Sequence, residues 1–383
     1  MERTRRALTT GRGWRLRSGP GVLLAVAVMM AACAPAATPA PSAPAAAAGN
    51  VAGAKPATLA ELAKYQGADR QQILEEGARK EGKLTWYTSL AGPIVDTLAN
   101  DFKRKYPSVQ VDVFRGAENE LLTRATQEAQ AGQQVFDAIE SPPTTIELLA
   151  DAKLLASYYS PFLKNLPDAL KSGVGGATVL SATVRVSYIG FGYNTNLISA
   201  ADVPKTFQDL LKPQLAGKMA LAGSTTGNRW LGSILHAMGD EKGKQFLSQL
   251  ASQQKPKVQQ MSGKALMDLV AKGEVAASPT IFRDHVLQLA GQQGSPVKWV
   301  PLDPVVGNAG QGALAAKAPH PNAALLFLDY LLTDGQKILE QNFYSVPTTP
   351  VSFQPWLPEE GKATAQIEAD VKLWEATFKS TFR

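Results

Sequence analysis

Three short β-type runs, each followed by a helical run, occupy residues 84–152. This alternation constrains the fold more than any other feature of the chain. Residues 84–88 (LTWYT) read as a strand, and a helix follows with Ile94, Leu98 and Phe102 on one face. Residues 109–114 (VQVDVF) alternate as a second strand, and 118–131 repeat apolar residues at helical spacing. Residues 135–140 (VFDAIE) form a third strand and 143–152 a third helix. Strands that alternate with helices of this length predict an α/β protein with an open, mostly parallel sheet.

The pattern loosens further on. A strand carrying two glycines is expected at 187–193, followed by helices near 206–211, 229–238, 242–251, 264–271 and 283–291. Short strands are expected between them near 218–221, 258–260, 275–277 and 297–301. Residues 311–316 read as a strand that returns to the first sheet, and helices follow at 321–332, 334–341 and 367–379. A body of about 325 residues exceeds one comfortable hydrophobic core and suggests two. The expected division is a first lobe of 59–184 with 303–383 and a second lobe of 185–302. Two hinge crossovers, near 180–188 and 300–306, would join them.

What precedes the body is of another kind. Arg3, Arg5, Arg6, Arg12, Arg15 and Arg17 lead into the apolar run 21–30, and Ala31-Ala32-Cys33 follows. A ten-residue run is too short for a membrane span, which takes about 20 residues. Residues 1–32 therefore read as a signal peptide with a small-residue cleavage site. The pattern resembles the lipobox of bacterial lipoproteins, which implies that Cys33 is lipidated and anchors the exported protein at the periplasmic or cell surface. Residues 33–58, rich in Ala and Pro, bury too little surface to offset the entropy of ordering and read as a tether.

The leader also accounts for the charge. The whole chain carries +6, but 33 basic and 32 acidic residues remain after residue 32. No basic run with interleaved aromatics points to nucleic acid. Cys33 is the only cysteine, so the body has no thiol for a disulfide, a thiolate metal site or nucleophilic catalysis. The Gly-x-Ser-x-Gly, phosphate-loop and His-Glu-x-x-His motifs are absent. Asp303 and Glu140 fall at expected strand ends and could pair, which is thin support for a secreted enzyme. A sensor using the same cleft is a further alternative.

Several segments carry a family resemblance. They are Lys83–Ser89 (KLTWYTS), Phe102–Pro107 (FKRKYP), Phe136–Ser141 (FDAIES), Gly192–Leu197 (GYNTNL) and Pro319–Ala324 (PHPNAA). Together they resemble the extracellular solute-binding proteins of bacterial ABC importers, with the type II periplasmic-binding-protein fold. The branch resembled contains ferric-iron and 2-aminoethylphosphonate binders. The likeness implies a monomer of two lobes that closes on a small molecule and meets a membrane permease, with no cofactor and no catalysis.

In open α/β sheets the ligand crevice lies beyond the carboxyl ends of the strands, where helix N-termini favour anions. Four hydroxyl-bearing turns fit this position. Thr88 and Ser89 follow the first strand, and Ser141 follows the third. Thr225 and Thr226 lie in a Gly-Ser-Thr-Thr-Gly turn, and Ser262 precedes Gly263. Arg115, Arg185, Arg229 and Arg283 are the charged candidates, since a guanidinium fork matches carboxylate or phosphate. Arg185 and Arg283 are taken into the expected site. Trp86 is expected in the core, with Tyr87 and Trp230 near the mouth. His236, His285 and His320 are expected to pack or to face solvent.

Ferric-binding members carry adjacent tyrosines after a second-lobe strand, and the matching residues 277–283 hold none. Tyr158-Tyr159 falls in the first lobe. An organic or oxyanionic ligand is therefore expected, with no metal site. Ferric iron is the alternative.

Overall fold

The computed structural model describes residues 55–90 and 92–382. The signal peptide, Cys33 and most of the tether lie outside the described residues. Among the described residues no helix is long and apolar enough to cross a membrane.

The fold is α/β. The strands Gln110–Arg115, Lys83–Thr88 and Ala138–Ser141 lie side by side and parallel. The strand Val305–Ala315 closes this set antiparallel, pairing Gln311–Leu314 with Ser141–Ala138. Beyond it runs the 14-residue strand Ser181–Asn194, also antiparallel. Its later residues pair with Val297–Val300 and with Ala277–Phe282. A second parallel pair, Ala220–Ala222 with Lys257–Gln259, joins Ala277 through a bridge at Met219.

Two main apolar cores form around these strands. Leu84, Trp86, Phe102, Phe136 and Phe327 pack in the first, where the rings of Trp86 and Phe327 lie 4.9 Å apart. Full burial of a large apolar side chain contributes about 1.5–3 kcal/mol. The helix Ile94–Lys105 buries Ile94, Leu98 and Phe102, the residues its four-residue spacing places on one face. The helix Pro321–Leu331 is largely apolar and is buried from Ala323 to Leu331. The second core holds Phe191, Tyr193, Leu231, Ile234 and Leu247. Leu266, Met267, Ile281 and Val286 form a smaller cluster.

Residues 364–382, placed with the first lobe on sequence grounds, give Trp374, Phe378 and Phe382 to the second core. The helix Thr364–Thr381 reaches it because Gly232 leaves room. A Cβ there would stand 2.6 Å from the Trp374 ring.

The long strand is where the sequence pattern says least. Every residue from Ser181 to Asn194 is buried, so no apolar/polar alternation marks it, and only 187–193 are expected from pattern. Its two glycines are required by packing. A Cβ on Gly190 would lie 2.5 Å from Trp299, and one on Gly192 would lie 2.8 Å from Ile281. The returning strand likewise starts at Val305 rather than 311. The strand expected at 275–277 instead runs Ala277–Phe282. The helix expected over 206–211 is a short 3-10 turn, Gln208–Leu211, stopped by Pro213. Both expected crossovers are strand connections. Residues 180–188 enter the long strand, and 300–306 form a turn through the cis bond Asp303–Pro304.

Candidate functional site

A cavity of about 320 Å³ opens at the carboxyl ends of the strands, lined by helix starts and by Arg185 and Asn308 from the two long strands. Five helices begin at its wall. They are Glu118–Gln130, Pro143–Asp151, Thr225–Met238, Gly263–Lys272 and Arg283–Gln293. Residues in or directly before the first turn of each line the cavity. Ala117, Pro142, Ser224 and Phe282 precede four of these helices and make no side-chain cap. Only Ser262 caps its helix, accepting from the Ala265 N–H at 3.3 Å. Uncapped helix starts present free N–H groups and partial positive charge.

Cations reinforce this field. Arg115, Arg185, Arg229 and Lys264 line the cavity. Arg185, on the long strand, pairs through Nη2 with Glu140 Oε1 at 2.9 Å and donates to Ser89 Oγ at 3.3 Å. Glu140 is fully buried, and its Oε2 accepts from Thr88 Oγ1 at 2.7 Å and from the Ser89 N–H at 3.2 Å. Gly310 lies against this pair, at a register shift in its strand. A Cβ there would stand 2.0 Å from Glu140 Oε1 and 2.8 Å from Arg185 Nε. Arg229 pairs with Glu359 Oε1 at 2.5 Å, both side chains being buried. Burial works against the Arg229 charge, but Glu359 and Glu118 outweigh it and raise its pKa. Arg115 Nε donates to the Leu90 carbonyl at 3.1 Å.

Several buried polar atoms in this wall have no hydrogen-bond partner within the protein. They include Arg185 Nε, Arg229 Nη1, His285 Nδ1 and Asn308 Oδ1. An unpartnered buried polar group costs about 1–3 kcal/mol, so a cluster of them points to groups arranged for a ligand. Glu118 is the one carboxylate in the wall. Burial raises its pKa, Glu359 and Glu140 add to the rise, and Arg229 and Arg185 oppose it. Burial lowers the pKa of His285, helped by Lys264 and Arg185 and opposed by Asp284 and Asp268.

Of the residues expected from sequence, Ser89, Arg185, Thr225, Thr226 and Ser262 line the cavity. Thr88 and Ser141 are fully buried and are not among the lining residues. Arg283 is not among them either, and its Nη1 donates to Ser345 Oγ at 3.3 Å. Trp86 is a core residue as expected. Tyr87 and Trp230 are core residues too, against expectation. The Tyr87 hydroxyl donates to Glu128 at 2.7 Å. The aromatic residue at the wall is Phe282. Asp303 and Glu140 do not pair, since Asp303 Oδ1 accepts from the Gln354 N–H. His236 stacks on Trp356 and His320 pairs with Asp137, whereas His285 reaches the cavity. Glu118, Lys264, His285 and Asn308 escaped the sequence reading. The first three sit in a first helical turn, which was the available signal.

The body is mixed α/β, and its cavity is polar and lined by cations. The family model of bacterial extracellular solute-binding proteins matches residues 87–338. The chain belongs to that family, the solute-binding components of ABC importers, which act outside the cytoplasm. Among solved structures, iron-bound HitA from Pseudomonas aeruginosa is 19% identical with a TM-score of 0.61, covering 77% of this chain and 98% of its own. AfuA from Actinobacillus pleuropneumoniae, with fructose-6-phosphate bound, is 20% identical with a TM-score of 0.62, covering 78% and 99%. The substrate binding protein of an ABC transporter from Agrobacterium tumefaciens is 16% identical with a TM-score of 0.65, covering 80% and 97%. Among curated proteins none matches.

Proposed function

We propose that this protein captures a small organic anion in the cavity and delivers it to the permease of an ABC importer. The observation that carries this reading is the convergence of five helix N-termini, four of them without a side-chain cap, on a wall with four cationic side chains. Arg185 and Arg229 are held from behind by buried carboxylates and keep unpartnered N–H groups. Such groups suit a carboxylate or phosphate. Ferric iron finds less support, because the wall holds one carboxylate and no tyrosine. Hard cations are held by several oxygen ligands.

The two lobes close about the two strand connections, and the ligand stabilises the closed form by its preference for it. The closed form is the one that docks on the permease. The protein works as a monomer and turns nothing over.

A thermal-shift screen of the purified protein against phosphate esters, phosphonates, carboxylates, polyamines, sugars and metal ions tests this reading. A ligand at about 100 times its Kd stabilises by about 2.7 kcal/mol. Anions should raise the melting temperature. A response confined to cations or neutral sugars would overturn the reading. With the best anion, Thr225→Ala and Arg115→Ala should each weaken binding by about tenfold, the loss of one hydrogen bond to a charged group. Isothermal titration checks this, and unchanged affinity in both variants would refute the placement of the site.

We further propose that Cys33 carries the lipid anchor, as the lipobox-like sequence before it supports. Cys33→Ser should move the protein from the membrane to the soluble fraction, and mass spectrometry of the wild-type N-terminus should show the acyl mass. A soluble wild-type protein would contradict the anchor.

A further inference from the structure

A second cavity, of about 230 Å³, shares no lining residue with the first. Glu359 lines the second and not the first, whereas its partner Arg229 lines the first and not the second. The Glu359 carboxylate therefore stands between the two cavities. Its side chain is 5% exposed, and Oε1 is taken up by Arg229 Nη2. Oε2 is buried and has no hydrogen-bond partner within the protein. A carboxylate oxygen buried in this way is costly unless a donor reaches it, and no side chain of the wall supplies one. Lys171 and Lys362 also line the second cavity, but Asp168 holds the first at 2.6 Å and Asp370 the second at 2.5 Å, and neither aspartate is in the wall. Two further carboxylates of the wall, Glu147 and Glu360, form no ion pair among the described residues. Glu147 Oε1 accepts only from the neutral Ser172 hydroxyl, at 2.5 Å. The unmatched charge of this wall is thus negative.

We infer that the second cavity is a binding site for a small organic cation, an ammonium or guanidinium group on a short carbon stem, held by Glu359, Glu147 and Glu360. Such a group is all donor and no acceptor, which matches a wall whose free groups are carboxylate oxygens. Among the described residues no three His, Cys, Asp or Glu side chains gather closely enough to hold a metal ion. The three glutamates are spread around the wall, as suits several N–H groups on one cation rather than a single point charge. Leu357 and Ile367 give the wall an apolar side for the carbon stem. The volume lies below the roughly 300–1,000 Å³ of ordinary small-molecule pockets, so the cation is small. The site does not depend on the anion reading, because its glutamates face a separate cavity.

Ethylammonium and guanidinium are the probes, with ethanol as the neutral counterpart of the first. Isothermal titration of the purified protein at neutral pH should show both cations binding and ethanol binding at least tenfold more weakly. Glu147→Gln keeps the side-chain volume and an oxygen for Ser172 but removes the charge. It should weaken ethylammonium binding by about tenfold, the loss of one charge-assisted contact. Glu360 is exposed, so Glu360→Gln should weaken it by only about threefold. Unchanged melting temperatures in both variants separate binding from folding. No binding of either cation to the wild type overturns the site. Equal affinity for ethanol and ethylammonium overturns the role of charge, and ethylammonium affinity unchanged in both variants overturns the placement. Each of these failures leaves the anion reading of the first cavity standing.

Discussion

Replacing Glu140 with alanine is expected to destabilise the protein by about 3–5 kcal/mol, because it removes one partner of a buried ion pair. The same change should abolish ligand capture. Arg185 would remain buried with no counter-charge, and Thr88 and Ser89 would lose the acceptor that orients them. Glu140→Gln preserves volume and an acceptor oxygen but not the charge, so it should fall between wild type and alanine. Urea unfolding at constant slope measures the stability change, and titration with the anion found by screening measures capture. A Glu140→Ala protein with wild-type stability would show that Arg185 is solvated in solution and that the pair does not hold the wall.

Arg70→Met should cost a similar amount, about 3–5 kcal/mol, and leave ligand affinity unchanged. Arg70 pairs with Asp329 at 2.5 Å and donates to the Tyr159 carbonyl at 2.8 Å. Asp329 is the one acidic residue of the largely apolar helix Pro321–Leu331. Burial raises its pKa while Arg70 opposes the rise. Met leaves that carboxylate alone in the core. The double change Arg70→Met with Asp329→Leu should restore most of the loss, since paired apolar replacements of buried ions are often neutral or stabilising. A single-variant loss below about 1 kcal/mol would place the pair among surface-like ion pairs. The two experiments separate what holds the fold from what holds the ligand.

The first core was legible because its helices show the rule cleanly. Ile94, Leu98 and Phe102 recur at helical spacing, and all three are buried. The long strand was only half legible. A strand buried on both faces shows no alternation, and its first six residues, Ser181–Val186, carry no turn signal to start it. The final helix was legible as a helix but not by its neighbour, because a periodic face does not say which core will receive it. In the site, four residues of the hydroxyl turns, Ser89, Thr225, Thr226 and Ser262, line the cavity. Thr88 was the instructive miss, because it sits at the right strand end and its hydroxyl serves the buried Glu140. Asn308 was invisible because its strand was expected to begin at 311. Glu118 looked like an ordinary acidic residue in a first turn, where the helix dipole favours it anyway.

The strand Ala138–Ser141 waits for its outer neighbour until Val305–Ala315 has been made. Until then the three parallel strands end in an open edge, and an open edge invites pairing with other chains. Contacts so distant along the sequence also form slowly. A ribosome or a secretion channel therefore releases most of this chain before its sheet can be finished. For a protein that acts outside the cytoplasm, the edge of Ala138–Ser141 is covered only once the second half of the chain has arrived.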